Sequence, residues 1–169
     1  MFDLKQFMIP YIGLSQGEHR FEYKINELFF EELGYSEMKQ GLFKINLDLL
    51  KQSSMMTLNF EIKGESTVTC DRCLDEFILP IEAEQKLFVK FGDETHEETD
   101  EIFILSRNEQ ELDVAQFIYE YIILAMPPVF THPEGECNPE IEKKLEELKP
   151  KNNNNDDIDP RWDILKNLK

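Results

Sequence analysis

The sequence predicts an α+β domain: a mainly antiparallel β-sheet with one long core helix and a helical acidic C-terminal tail. Three observations carry this. Long runs in the first two thirds alternate apolar and polar residues with period two, the pattern of strands with one wet face. A single stretch, from about Val114, switches to helical spacing and is strongly apolar. Beyond residue 130 the chain becomes polar and rich in Glu, Lys and Asn. The expected division is therefore a core domain over residues 1–130 and a tail over 131–169, the tail holding a linker and a terminal amphipathic helix.

In the N-terminal third, Phe21, Tyr23 and Ile25 mark a strand, and Asn26 is placed to cap a short helix from Glu27 to Leu33 that ends near Gly34. From Leu42, Phe43, Ile45, Leu47 and Leu49 alternate with Lys44, Asn46 and Asp48. Ser53 and Ser54 suggest a turn, after which Met56, Leu58, Phe60 and Ile62 repeat the alternation, so the two runs predict a hairpin. Gly64 is expected to allow a bulge before Val68 and Cys70.

After Cys73, the apolar residues Phe77, Leu79, Ile81, Ala83, Leu87, Val89 and Phe91 all fall on odd numbers, which predicts one long strand with Pro80 at an edge or a bulge. Asp93 to Glu101 carries six acids and no Lys or Arg and reads as a solvated loop. Ile102 to Leu105 is a short strand. Asp113 stands at an N-cap before Val114, Phe117, Ile118, Tyr121, Ile122 and Ala125, with Pro127 and Pro128 as the stop. Pro139 opens a solvated helix that is apolar only at Ile141, Leu145 and Leu148. Residues 151–157 form an Asn-rich linker, and Asp159 and Pro160 start a last helix.

The chain has 169 residues, 35 acidic against 18 basic, for a formal charge of -17. Such a surface repels polyanions and attracts basic proteins. Binding to nucleic acid by phosphate neutralisation needs clustered Lys and Arg, which the sequence lacks. No DNA partner is expected, and any link to RNA is expected to run through a protein. No apolar run reaches membrane-spanning length, and the first residues lack the pattern of an export signal, which predicts a cytoplasmic protein with no membrane partner.

In a reducing compartment three cysteines read as thiols or metal ligands rather than as a disulfide framework. Cys70-Asp71-Arg72-Cys73 lies where two predicted strands meet, so it can form a knuckle with both thiolates aimed at one ion. His132 and Cys137 would complete a Cys3His set for zinc if the tail folds back. The competing reading makes Cys70 and Cys73 small turn residues and His132 a surface residue. Redox chemistry suits the motif poorly, because redox CxxC pairs normally open a helix, which lowers the thiol pKa. There is no phosphate-binding Gly-rich loop, no GxSxG elbow and no HExxH, so the sequence predicts a binding protein and not an enzyme.

Three pieces in order resemble the YceD family: Cys70-Asp71-Arg72-Cys73-Leu74, the stretch from Glu120 to Pro127 that reads EYIILAMP, and the terminal segment from Asp159 to Lys169. The resemblance covers about Leu42 to the end. It implies a bacterial cytoplasmic factor needed for accumulation of the large-subunit ribosomal RNA, with a ribosomal protein or a large-subunit precursor particle as partner. Many members of that family carry a second CxxC in the tail, where this chain has His132 and Cys137. The last helix presents Trp162, Leu165 and Leu168 at three-residue spacing, flanked by Arg161, and these four residues are the candidate partner-binding stripe. The alternative function is an acidic, zinc-stabilised protein-interaction module unrelated to ribosomes.

Overall fold

A computed structural model describes residues 3–34 and 40–149. The expected linker at 151–157 and the candidate stripe Arg161, Trp162, Leu165 and Leu168 lie outside the described residues. The elements in chain order are β1 (Met8–Ile9), β2 (Gly17–Ile25), α1 (Glu27–Leu33), β3 (Leu42–Lys51), β4 (Met55–Thr69), β5 (Glu76–Gly92), β6 (His96–Thr99), β7 (Ile102–Ser106), β8 (Leu112–Asp113), α2 (Ala115–Ala125) and α3 (Pro139–Leu148). No helix among the described residues is long and apolar enough to cross a membrane.

Six strands form one sheet in the order β2-β3-β4-β5-β7-β6, and β1 pairs with β8 in a small second ladder. Every pairing is antiparallel except β5 with β7, which is parallel and joins Phe88–Gly92 to Ile102–Ser106. The α+β, mainly antiparallel architecture expected from the alternating runs is thus present.

Period two decides which face of the sheet is buried. Ile45, Leu47, Leu49, Leu58, Ile62, Leu87 and Val89 are essentially sealed from solvent. Against this face pack α1, through Phe29 and Phe30, and α2, through Phe117, Ile118, Tyr121 and Ile122. Burial of each such large apolar side chain contributes about 1.5–3 kcal/mol. Aromatic contacts link the layers: Phe60 meets Tyr121 edge-on with centroids 5.2 Å apart, and Phe103 meets Phe117 at 5.2 Å. The opposite face is polar. Its pairs Arg20–Asp48, Lys44–Glu22 and Lys63–Glu61 are all well exposed, so each adds less than about 1 kcal/mol and serves solubility and register more than stability.

Local chemistry explains the boundaries. The Asn26 side chain accepts the Leu28 N–H at 3.1 Å, and Gly34 closes α1 in the left-handed conformation at φ 73°. The N-cap of α2 is Val114, one residue beyond the expected Asp113, whose carboxylate accepts the Ala115 N–H at 2.8 Å from just outside the helix, and Met126 ends that helix before the two prolines.

Two expectations are corrected. Gly64 makes no bulge: the β3–β4 and β4–β5 registers run through it without a shift, pairing it with Phe43 and with Ile81. What requires glycine there is close approach, since a Cβ would collide with the Leu42 carbonyl oxygen and the Phe43 ring. The acidic stretch is not wholly a loop either. His96–Thr99 forms β6, with all four residues exposed, at the rim of the sheet. An edge strand open to water tolerates carboxylates on both faces, which hides the alternation that would reveal it.

Candidate metal centre

The hairpin between β4 and β5 delivers the first two candidate ligands. Its turn is Cys70-Asp71-Arg72-Cys73, closed by the Cys70 N–H donating to the Asp75 carbonyl and the Leu74 N–H donating to the Cys70 carbonyl, both at 2.9 Å. That closure places Leu74 at φ 65°, a left-handed conformation that costs an L-residue about 1 kcal/mol. Leu74 is also largely exposed, so it is held by the turn and not by packing.

The segment after α2 returns across this turn. The Asp71 N–H donates to the Phe130 carbonyl, and the Asp71 carboxylate accepts the Phe130 N–H, each at 2.7 Å. Farther on, the Asn138 amide donates to the Asp75 carboxylate at 3.2 Å while its carbonyl oxygen caps α3 through the Glu140 N–H. Arg72 reaches Glu142 of α3 at 3.5 Å. This polar clasp brings His132 and Cys137 to the knuckle.

Cys70, Cys73, His132 and Cys137 each offer one ligand atom, and these atoms all lie within 4.8 Å of one another. The four residues named from the sequence are therefore brought together, and they are close enough to hold a metal ion. Cys70 and Cys137 Sγ are 3.8 Å apart, Cys73 Sγ and His132 Nδ1 3.3 Å, and Cys137 Sγ and His132 Nδ1 3.9 Å. A tetrahedral ion with metal–sulfur bonds of about 2.3 Å sets its sulfurs about 3.8 Å apart, so the spacing fits a zinc-sized centre. The three cysteines are free thiols and buried. Phe77 and Ile141 pack against them, and the Phe77 ring lies 4.5 Å from the His132 ring, centroid to centroid.

Two of the thiols are shifted in opposite directions. Burial pushes the Cys70 thiol up, but hydrogen bonds from the backbone of Cys73, His132 and Arg72 and from the His132 side chain outweigh it and bring the thiol down to about 5. Cys137 is pushed up to about 11, by burial and then by its neighbours Cys70 and Cys73. A divalent cation placed among these sulfurs would favour their thiolate forms and offset the repulsion between them. Arg72 supports this with its backbone N–H 3.4 Å from Cys70 Sγ and its guanidinium 4.0 Å from Cys137 Sγ.

Sequence reasoning named the ligands and missed the clasp. Asp71, Asp75, Asn138 and Glu142 carry no motif of their own in the sequence, and Pro139, a helix-start signal, is the nearest pointer to any of them.

The family model described as "Large ribosomal RNA subunit accumulation protein YceD" matches residues 58–169, more than half of the chain and including all four candidate ligands. No curated protein and no solved structure matches.

Proposed function

Because the chain belongs to the YceD family of large ribosomal RNA subunit accumulation proteins, we propose that it acts as a non-catalytic assembly factor in the cytoplasm, holding a basic ribosomal protein or a large-subunit precursor particle through protein contacts. The observation that carries this reading, beyond the family, is charge. A chain at -17 attracts basic partners and repels bare RNA, and ribosomal assembly presents basic proteins in need of shielding.

Within this reading Cys70, Cys73, His132 and Cys137 bind zinc as a structural clasp. Three thiols and one imidazole are the donor set that zinc favours, and four protein ligands fill its tetrahedron, leaving no open position for a substrate. The ion fastens the segment after α2 to the β4–β5 hairpin. In this reading the stripe named from the sequence, Arg161, Trp162, Leu165 and Leu168, supplies contacts to the particle.

The test is recovery of large-subunit components on the tagged full chain at low salt, together with ribosome profiles of a deletion strain. The reading predicts co-purifying large-subunit proteins and a deficit of large subunits in the deletion. Recovery of none, with an unchanged profile, would contradict it and favour an interaction module without a ribosomal role.

A further inference from the structure

The longest strand is paired on both sides over only a fraction of its length. β5 runs for 17 residues, all but its last two laddered to β4, yet β7 meets it only from Phe88 onward. At its start, Phe77 lies against the His132 ring. Between these limits, from Ile78 to Leu87, no strand among the described residues lies on its second side. An open edge of that length spans about 30 Å.

Backbone parity fixes what this edge offers. The Cys70 N–H donates to Asp75, so odd-numbered residues of the strand turn their peptide groups toward β4. The Phe88 N–H donates to the Glu101 carbonyl on the other side, so even-numbered residues turn theirs outward. Ile78, Glu82, Glu84 and Lys86 therefore present unladdered N–H groups in one row. Pro80 falls on the same parity, where its missing N–H costs no bond to β4.

Side chains set the character of a guest. Glu82 and Glu84 stand exposed on the outer face; neither forms an ion pair among the described residues, although Lys63, opposite Glu82 on β4 and paired with Glu61, feels the charge of both. On the core face Leu79 and Ala83 are only half-buried. An added strand would set alternate side chains beside the two carboxylates and the others over Leu79 and Ala83. A second copy of this edge would bring its own Glu82 and Glu84 beside the first pair, offset only in registers that set Lys86 opposite them, so charge gives a basic guest the advantage.

We propose that the Ile78–Leu87 edge of β5 is a strand-addition site for an extended segment that alternates Lys or Arg with apolar residues. Resting on the reading of a basic protein partner, this specifies where and in what conformation that partner is held. Main-chain hydrogen bonds supply affinity, and Glu82 and Glu84 select cationic guests.

The test is amide exchange of the full chain, followed by NMR, with a synthetic peptide of alternating Lys and Val and a control bearing Glu in place of Lys. The Lys peptide is expected to slow exchange at Glu82, Glu84 and Lys86 by at least about tenfold, and the Glu peptide to leave it unchanged. The Glu82→Lys/Glu84→Lys variant should weaken binding by about tenfold or more. Glu84→Pro, which removes one outward N–H as Pro80 already does, should weaken it with the circular dichroism spectrum retained. Unchanged exchange with the Lys peptide overturns the proposal. So does protection already present in the free chain, which would mean that its own segment or a second copy fills the edge. Failure of the wild-type chain to recover large-subunit components bears on the assembly-factor reading alone, because the peptide assay does not depend on it.

Discussion

Asp71 and Phe130 exchange two hydrogen bonds of 2.7 Å, the Asp71 N–H to the Phe130 carbonyl and the Phe130 N–H to the Asp71 carboxylate. One residue inside the CxxC turn thus satisfies both backbone groups of one residue in the returning segment, two positions before His132. This pair holds the knuckle and the tail in register.

Replacing Asp71 with Ala should accordingly loosen the His132–Cys137 half of the centre. Asp71 is exposed, so the cost in global stability is modest, about 1 kcal/mol. The larger effect is on zinc, whose affinity should fall about tenfold in chelator competition, as for other groups that orient ligands. Asp71→Asn, which keeps an acceptor oxygen, should recover much of the loss. An Ala variant with unchanged affinity would remove the clasp from the account.

Gly64→Ala should destabilise the β3–β4–β5 sheet by about 1–3 kcal/mol, because the added methyl meets the Leu42 carbonyl and the Phe43 ring and one of them must shift. Urea denaturation followed by circular dichroism reads this directly. An unchanged midpoint would mean that the strands separate freely at that register.

The Tyr121 hydroxyl is buried without a hydrogen-bond partner among the described residues. Tyr121→Phe should therefore leave neutral-pH stability unchanged or raise it by up to about 1 kcal/mol. The same phenol titrates at about 12, raised by burial and then by Glu120, Glu97 and Glu101, and burial raises Tyr23 to about 12 as well. The folded state thus holds these protons more tightly than the unfolded chain, whose phenols titrate near pH 10. Their contribution is fully present below about pH 10 and is lost as the pH climbs toward about 12. Denaturation midpoints across that window should fall in the wild type, and fall less steeply in Tyr121→Phe.

Most of the sheet was legible because one face of each strand faces water. The odd-numbered apolar residues from Phe77 to Phe91 named both β5 and its buried face. The parallel pairing of β5 with β7 was not legible, since Ile102–Ser106 is too short to show direction and the intervening β6 is wholly exposed. Gly64 signalled an irregularity, and a sequence does not distinguish a bulge from a close approach. The four ligands were legible from residue type, because Cys and His are scarce in this chain. Their union was not, since it depends on Asp71, Arg72, Asp75 and Asn138, polar residues whose partners lie about 60 positions away or more.

We propose that one zinc ion joins the β4–β5 knuckle to the segment after α2. Its most direct test is the metal content of the full chain purified without chelators, beside Cys70→Ser and Cys137→Ser, one variant on each side of the junction. The wild type should carry about one zinc per chain, and both variants should lose it. Wild-type protein without zinc, or zinc retained when Cys137 is replaced, would contradict it.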